Sequence, residues 1–253
     1  MNDAVTPSPL SGLLILDKPT GYTSMDICAI VRRKLRKGGA PKRVKVGHGG
    51  TLDPLATGVL VVLCGKATPL CNVIMAGEKE YVTDVDLSRA STTDDAEGQI
   101  TEIPSPTPPT RERIDALIPR FVGEIQQTPP DYSAIHVGGR RAYQIAREGG
   151  TPVLAARAVT VVSIKVIDYA WPILRLDITC GKGVYIRSLA RDIGRELGVG
   201  GMLTALRRTR VGEFTIERAV ALASLPEVMG QGDLLHIPRP EDPQEPAQRA
   251  QGR

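Results

Sequence analysis

Segments with strand periodicity and segments with helix periodicity follow one another along this chain without a βαβ rhythm and without an internal repeat. A doubly wound parallel sheet needs that rhythm, because each parallel crossover consumes a helix. The pattern therefore implies an α+β fold, with a large, mostly antiparallel sheet flanked by helices and loops. Residues 80–87 set Tyr81, Thr83, Val85 and Leu87 against Val82, Asp84 and Asp86, the two-residue period of a half-buried strand. Residues 59–63 are continuously aliphatic and read as a buried strand. Further strands are expected at 13–16, 159–167 and 173–179. Helices are expected at 24–37 (capped by Ser24, with Ile27, Ile30, Val31 and Leu35 at helical spacing), at 67–76, at 111–118 behind Thr110, and at about 185–197. In the last of these, Ile186, Leu189, Ala190, Ile193 and Leu197 make an apolar stripe, while Arg187, Arg191 and Arg195 recur four apart on another face.

At 253 residues the chain is long enough to bury a substantial core. Its longest uncharged apolar runs, 13–16 and 59–64, are too short to span a bilayer. The opening MNDAVTPSPLSG has no basic stretch followed by an apolar one, so no secretory signal is read. Cys28, Cys64, Cys71 and Cys180 form no CxxC pair, and His48, His136 and His236 are scattered. This usage argues against a zinc site and metal catalysis, and for reduced thiols in the cytoplasm. The formal charge of +4 hides an asymmetry. Arg32, Arg33, Lys34, Arg36, Lys37, Lys42, Arg43 and Lys45 follow one another with no acid between them, whereas Asp84, Asp86, Asp94, Asp95 and Glu97 gather elsewhere. A basic run is either a solvated face or a track for phosphates, and this one leads directly into residues 46–60.

Those residues, VGHGGTLDPLATGVL, place a single carboxylate, Asp53, among glycines just ahead of the aliphatic strand. Two readings stand. Asp53 is an acid catalyst in a loop that lets a polymer backbone come close, or Asp53 and Pro54 are the cap and first residue of a helix. Other chemistries are excluded more easily. Gly65-Lys66-Ala67-Thr68 imitates the end of a P-loop, but Leu60 stands where its leading glycine belongs, and Gly181-Lys182-Gly183 fits no better. No GxGxxG follows a strand and no GxSxG elbow occurs. What remains is a carboxylate without metal, cofactor or partner base.

Five ordered stretches resemble the TruB family of pseudouridine synthases: 12–24 (GLLILDKPTGYTS), 46–60, 79–81 (KEY), 127–147 (QTPPDYSAIHVGGRRAYQIAR) and 180–194 (CGKGVYIRSLARDIG). A later LRR at 206–208 fits as well, so the resemblance covers about 12–217. It implies the pseudouridine synthase fold, with a central RNA-binding cleft, and conversion of a uridine (U55) in the TΨC loop of tRNA to pseudouridine. The partner implied is the tRNA T-arm, for a monomer acting in the cytoplasm without guide RNA, cofactor, metal, membrane or obligatory protein partner. Breaking the N1–C1′ bond, turning the uracil and joining C5 to C1′ needs neither redox chemistry nor energy input. A carboxylate serves it either as a nucleophile or as a base.

By position, the resemblance makes Asp53 the catalytic acid and Tyr81 the ring that stacks on uracil. Arg187 becomes the partner of Asp53, Tyr185 a pocket wall and Leu206 an apolar pocket residue. His48 becomes the side chain that fills the space of the flipped base. Each has a plainer alternative: core packing for Tyr81 and Leu206, a structural role for His48, and for Arg187 a phosphate-facing stripe with Arg191 and Arg195. RNA backbone contacts are expected from Arg32, Arg33, Lys34, Lys42, Arg43 and Arg191. Gly49, Pro69, Ser88 and Ile135-His136 depart from common family residues without touching Asp53, Tyr81 or Arg187. The expected organisation is a flexible lead over 1–11, a catalytic domain over 12–217, a short helical piece over 218–236 and a disordered tail over 237–253. The stretch after 217 is too short for the PUA module many bacterial members carry. A tRNA-refolding chaperone and a guide-dependent sister synthase are the rival functions.

Overall fold

The computed structural model describes residues 10–104 and 107–236. The lead over 1–11, but for its last two residues, and the tail over 237–253 lie outside the described residues. The strands are β1 (Ser11–Lys18), β2 (Val46–His48), β3 (Thr57–Gly65), β4 (Lys79–Asp86), β5 (Arg89–Ser91), β6 (Ile100–Glu102), β7 (Gly123–Gln127), β8 (His136–Val137), β9 (Arg140–Arg141), β10 (Arg157–Ala170), β11 (Ile173–Cys180), β12 (Met202–Val211), β13 (Phe214–Thr215) and β14 (Val220–Ala221). The helices are α1 (Ser24–Lys37), α2 (Cys71–Ala76), α3 (Arg111–Leu117), α4 (Ala142–Arg147) and α5 (Ile186–Leu197). Among the described residues, ten strands form one sheet in the order β14-β1-β3-β12-β4-β11-β10-β7, with β2 paired to β3 and β13 to β12. Only β1–β14 and β12–β3 run parallel in it, so the sheet is mostly antiparallel, as the pattern implied.

Burial follows the sequence period strand by strand. Tyr81, Thr83 and Val85 of β4 point inward, and with Leu174, Leu176 and Ile178 of β11 they meet the apolar stripe of α5. The aliphatic β3 is buried on both faces. Leu60, Val62 and Cys64 pack with Ile27, Val31 and Leu35 of α1, while Val59 and Val61 pack with Leu13, Ile15 and Val211. A strand with two covered faces carries no alternation, which explains the continuous run.

The structure corrects three expectations. Thr23, not Ser24, caps α1: its hydroxyl accepts from the Asp26 amide at 3.1 Å, and the Asp26 carboxylate accepts from the Thr23 amide at 2.9 Å. Ser24 is thereby released for a contact with the Asp53 loop. The helix expected over 67–76 is a 3-10 turn, Thr68–Leu70, followed by the six-residue α2, with Pro69 in the turn. The piece expected to be helical over 218–236 contains only 3-10 turns and β14. It packs on α1 through Leu225, Met229 and Leu234, inside the same core as residues before 217. Among the described residues no helix is long and apolar enough to cross a membrane.

Candidate active site

Asp53 lies in the loop between β2 and β3, and no helix begins there, which removes the capping alternative. Side chains from distant parts of the chain hold this loop instead. The Ser24 hydroxyl accepts from the Leu52 amide at 2.8 Å and donates to the Leu52 carbonyl at 3.1 Å. Lys18, fully buried, donates to the carbonyls of Pro19, Tyr22 and Pro54, and burial lowers its ammonium to about 8. Arg208, also fully buried, donates to the carbonyls of Gly50, Thr51 and Val59 at 2.8–3.2 Å. Gly58 lets β3 lie this close to β12: its φ is +100°, and a Cβ there would sit 2.1 Å from the Arg208 carbonyl oxygen.

Arg187 reaches Asp53 from the first turn of α5. Gln127 fixes the start of that helix, accepting from the Tyr185 amide at 2.8 Å and donating to the Tyr185 carbonyl at 3.1 Å. The Arg187 side chain is 5% exposed, its Nε 2.9 Å from Asp53 Oδ2 and its Nη1 3.4 Å from Asp95 Oδ2. Nη1 and Nη2 also donate to the carbonyls of Thr93 and Tyr132, both at 3.0 Å. The arginine is thus an internal brace, not the buried end of a phosphate-facing stripe. Burial raises the Asp53 carboxyl above the ordinary range; the Arg187 guanidinium opposes that rise and Asp95 adds to it.

Asp53, Tyr81, Tyr185, Arg187 and Leu206 all line one cavity of about 710 Å³. Tyr81 and Leu206 are nearly buried; burial raises the Tyr81 hydroxyl's pKa, and the nearby Arg208 guanidinium opposes that rise. The cavity suits a small ligand of nucleoside size, its exposed wall more apolar than polar although charged side chains reach it. His48 ends β2 and lies outside this lining. Its Nδ1 is buried with no partner among the described residues, and burial, then Arg208, lowers the imidazole pKa. Three of the thiols are buried and held protonated: burial pushes Cys28 up to about 11 and Cys64 and Cys180 up to about 12.

The model of the TruB family pseudouridylate synthase N-terminal domain matches residues 33–186. The chain belongs to the TruB family. The model of the tRNA pseudouridylate synthase B C-terminal domain matches the following residues, 187–234. A tRNA pseudouridine synthase B of Thermobifida fusca is 47% identical over 222 residues, covering 85% of this chain and 74% of the relative. That of Corynebacterium diphtheriae is 44% identical over 234 residues, covering 90% and 75%. Among solved structures, a chain of a Cbf5-Nop10-Gar1 complex aligns at 30% identity with a TM-score of 0.64, over 85% of this chain and 53% of that one. The TruB-family chain therefore spans about half the length of that structural neighbour.

Of the cations expected on RNA, Arg33, Lys42 and Arg43 are exposed in this TruB-family chain, and Arg32 donates to the Val46 carbonyl at 3.0 Å. Two others are engaged by groups of the protein itself. Lys34 is buried against the carbonyls of Leu225 and Pro226 and pairs with Glu227. Arg191 binds Asp94 at 2.7 Å, Asp192 at 3.2 Å and the Thr128 carbonyl at 2.9 Å. The sequence reading assigned no role to Lys18, Asp95 or Arg208. Arg208 had a detectable signal: it lies two residues beyond Leu206 on one strand, and so on the same face.

Proposed function

We propose that this chain isomerises a uridine of tRNA to pseudouridine, the target being U55 in the TΨC loop, with Asp53 as the catalytic carboxylate. The observation that carries this reading is the Asp53–Arg187 pair at 2.9 Å on the wall of a nucleoside-sized cavity. The names of the relatives supply the substrate class. Uridine flipped out of the T-loop enters with its uracil against Tyr81 and Leu206, between Tyr185 and the Asp53 loop. Arg187 holds one carboxylate oxygen in a fixed direction, so the other faces the ribose or the base without reorganisation. The carboxylate then attacks as a nucleophile or removes a sugar proton, the N1–C1′ bond breaks, and uracil turns within the cavity. C5 bonds to C1′ and its proton is lost. His48, beside the loop, takes the space the base leaves in the RNA stack. The protein acts as a monomer in the cytoplasm without guide RNA, a setting that its four free thiols fit.

Tritium release from C5-labelled uridine in an unmodified tRNA transcript, with mapping of the modified nucleotide, tests this. Wild-type protein releases tritium at one T-loop position, and Asp53→Asn abolishes release while binding the transcript normally. Absence of release by the wild type on magnesium-folded tRNA would overturn the proposal. Activity surviving Asp53→Asn would assign catalysis to another residue.

A further inference from the structure

Five cations line the cavity: Lys79, Arg157, Lys182, Arg187 and Arg208. Asp53 is the single acid among the lining residues. Three of the five are occupied. Arg187 is held by Asp53, Asp95 and two carbonyls, Arg208 by three carbonyls, and Lys79 by the carbonyls of Met75 and Gly77. Arg157 and Lys182 are not. Arg157 makes one side-chain hydrogen bond among the described residues, from Nη2 to the Gly183 carbonyl at 2.9 Å. Its guanidinium carbon lies 5.3 Å from the centroid of the Tyr185 ring, and its Nε is shut away from water with no acceptor among the described residues. Buried donors are almost always paired, so an orphan beside a cavity fits an acceptor that arrives with a ligand. Lys182 is exposed at the tip of the Gly181-Lys182-Gly183 turn. The Gly181 amide ties the turn to the Thr160 carbonyl of β10 at 2.9 Å, and Gly183 has a φ of +84°, which leaves the position to glycine.

We propose that Arg157 and Lys182 form a phosphate-binding subsite on the cavity wall, holding a phosphodiester that flanks the flipped nucleotide. The inference rests on the proposed reaction for its ligand. Arg157 supplies a planar donor fork whose orientation the Tyr185 ring and the Gly183 carbonyl set, and Lys182 supplies a mobile point charge. Tyr81 and Leu206 contact only the base of the flipped nucleotide in this reading. A hold on its backbone fixes C1′ relative to Asp53 while uracil is detached and turning. The Gly-Lys-Gly segment, too short for a P-loop, thus works as one side of a phosphate clamp whose other side is an arginine from the neighbouring strand.

Binding of a T-arm stem-loop RNA, followed by fluorescence anisotropy, tests the subsite. The phosphates 5′ and 3′ of the target uridine are replaced in turn by a neutral methylphosphonate. Arg157→Gln weakens binding of the unmodified RNA roughly tenfold, the loss expected for a charge-assisted contact. One of the two neutralised RNAs binds wild type more weakly by a similar factor, and the same substitution costs Arg157→Gln nothing further. Arg157→Lys, which keeps the charge and loses the fork, recovers part of the affinity. Penalties that multiply for both RNAs, or an unchanged Kd in Arg157→Gln, would overturn the subsite and leave Arg157 as a brace for the turn. Should Arg157→Gln fail to fold, by its melting curve, Lys182→Gln carries the same comparison. A wild type that binds the RNA yet forms no pseudouridine overturns the reaction, while the phosphate comparison still decides the clamp.

Discussion

Asp53 is subject to opposing influences. Desolvation favours its neutral form, as does the nearby Asp95, whereas Arg187 favours the carboxylate. Burial dominates, so the carboxyl titrates above its ordinary value. Either chemical role requires the ionised form. The acid limb of kcat/KM therefore lies at higher pH than an exposed aspartate would produce. Arg187→Gln removes the main influence holding the pKa down and moves that limb to still higher pH, and Arg187→Lys moves it less. A pH profile of tritium release from pH 4 to 8 measures the shift. An unmoved limb with a raised KM would make Arg187 a binding residue instead. At this scale much of the site was legible, because Asp53, Tyr81, Tyr185, Arg187 and Leu206 fall within the family motifs, whereas Arg157 of the same lining falls outside them. Lys18 and Asp95 were not legible. Each acts by being buried against backbone or another ion, and charged residue types carry no signal of burial.

Two elements show how a charge pattern misleads when it is read without rotation. Residues four apart on a helix drift by about 40° at each step. Arg187, Arg191 and Arg195 accordingly turn out of the core, with side chains 5%, 31% and 70% exposed. Only the last faces solvent as a stripe member would. In α1, Lys34 shares a face with Ile27, Val31 and Leu35, which places it inside the protein despite its basic neighbours. Lys34→Met leaves the Leu225 and Pro226 carbonyls without their donor and lowers unfolding free energy by about 2 kcal/mol, measured by urea denaturation. Arg33→Gln, one position earlier and exposed, changes it by less than about 0.5 kcal/mol. Equal effects would mean that Lys34 does not tether the 225–229 segment. Among the long elements α1, α5, β4, β10 and β11 were legible in the sequence, but the ten-residue β12 was not, its pairing with β4 being broken by two register shifts. β2, β13 and β14 were not, since strands of two or three residues contain no period to detect.

Across the whole molecule, one sheet brings the scattered motifs together. β4 contributes Tyr81, and its neighbour β12 contributes Leu206 and Arg208; the register sets Arg208 opposite Tyr81. β3 lies beside β12 on the other side and carries the Asp53 loop at its start, while α5 packs across β12 to deliver Arg187. The sequence pattern predicted antiparallel pairing, but not that β3 and β12 run parallel, a pairing on which the position of the loop depends. The exposed cations Arg33, Lys42, Arg43 and Lys45 end where β2 begins, in the segment that leads to His48 and then Asp53. On the proposed function, the arm of a tRNA whose T-loop occupies the cavity is the expected partner of that segment. If these side chains displace counterions from the arm, each phosphate contact contributes about 0.7–0.9 to the slope of log K against log salt. Neutralising Arg33, Lys42 and Arg43 together then weakens tRNA binding at low salt and flattens the slope by about 2. Lys34 is left intact, so the fold is not perturbed. Kd measured from 50 to 300 mM KCl reads both effects, and a slope equal to the wild type's would place the basic segment outside the RNA interface.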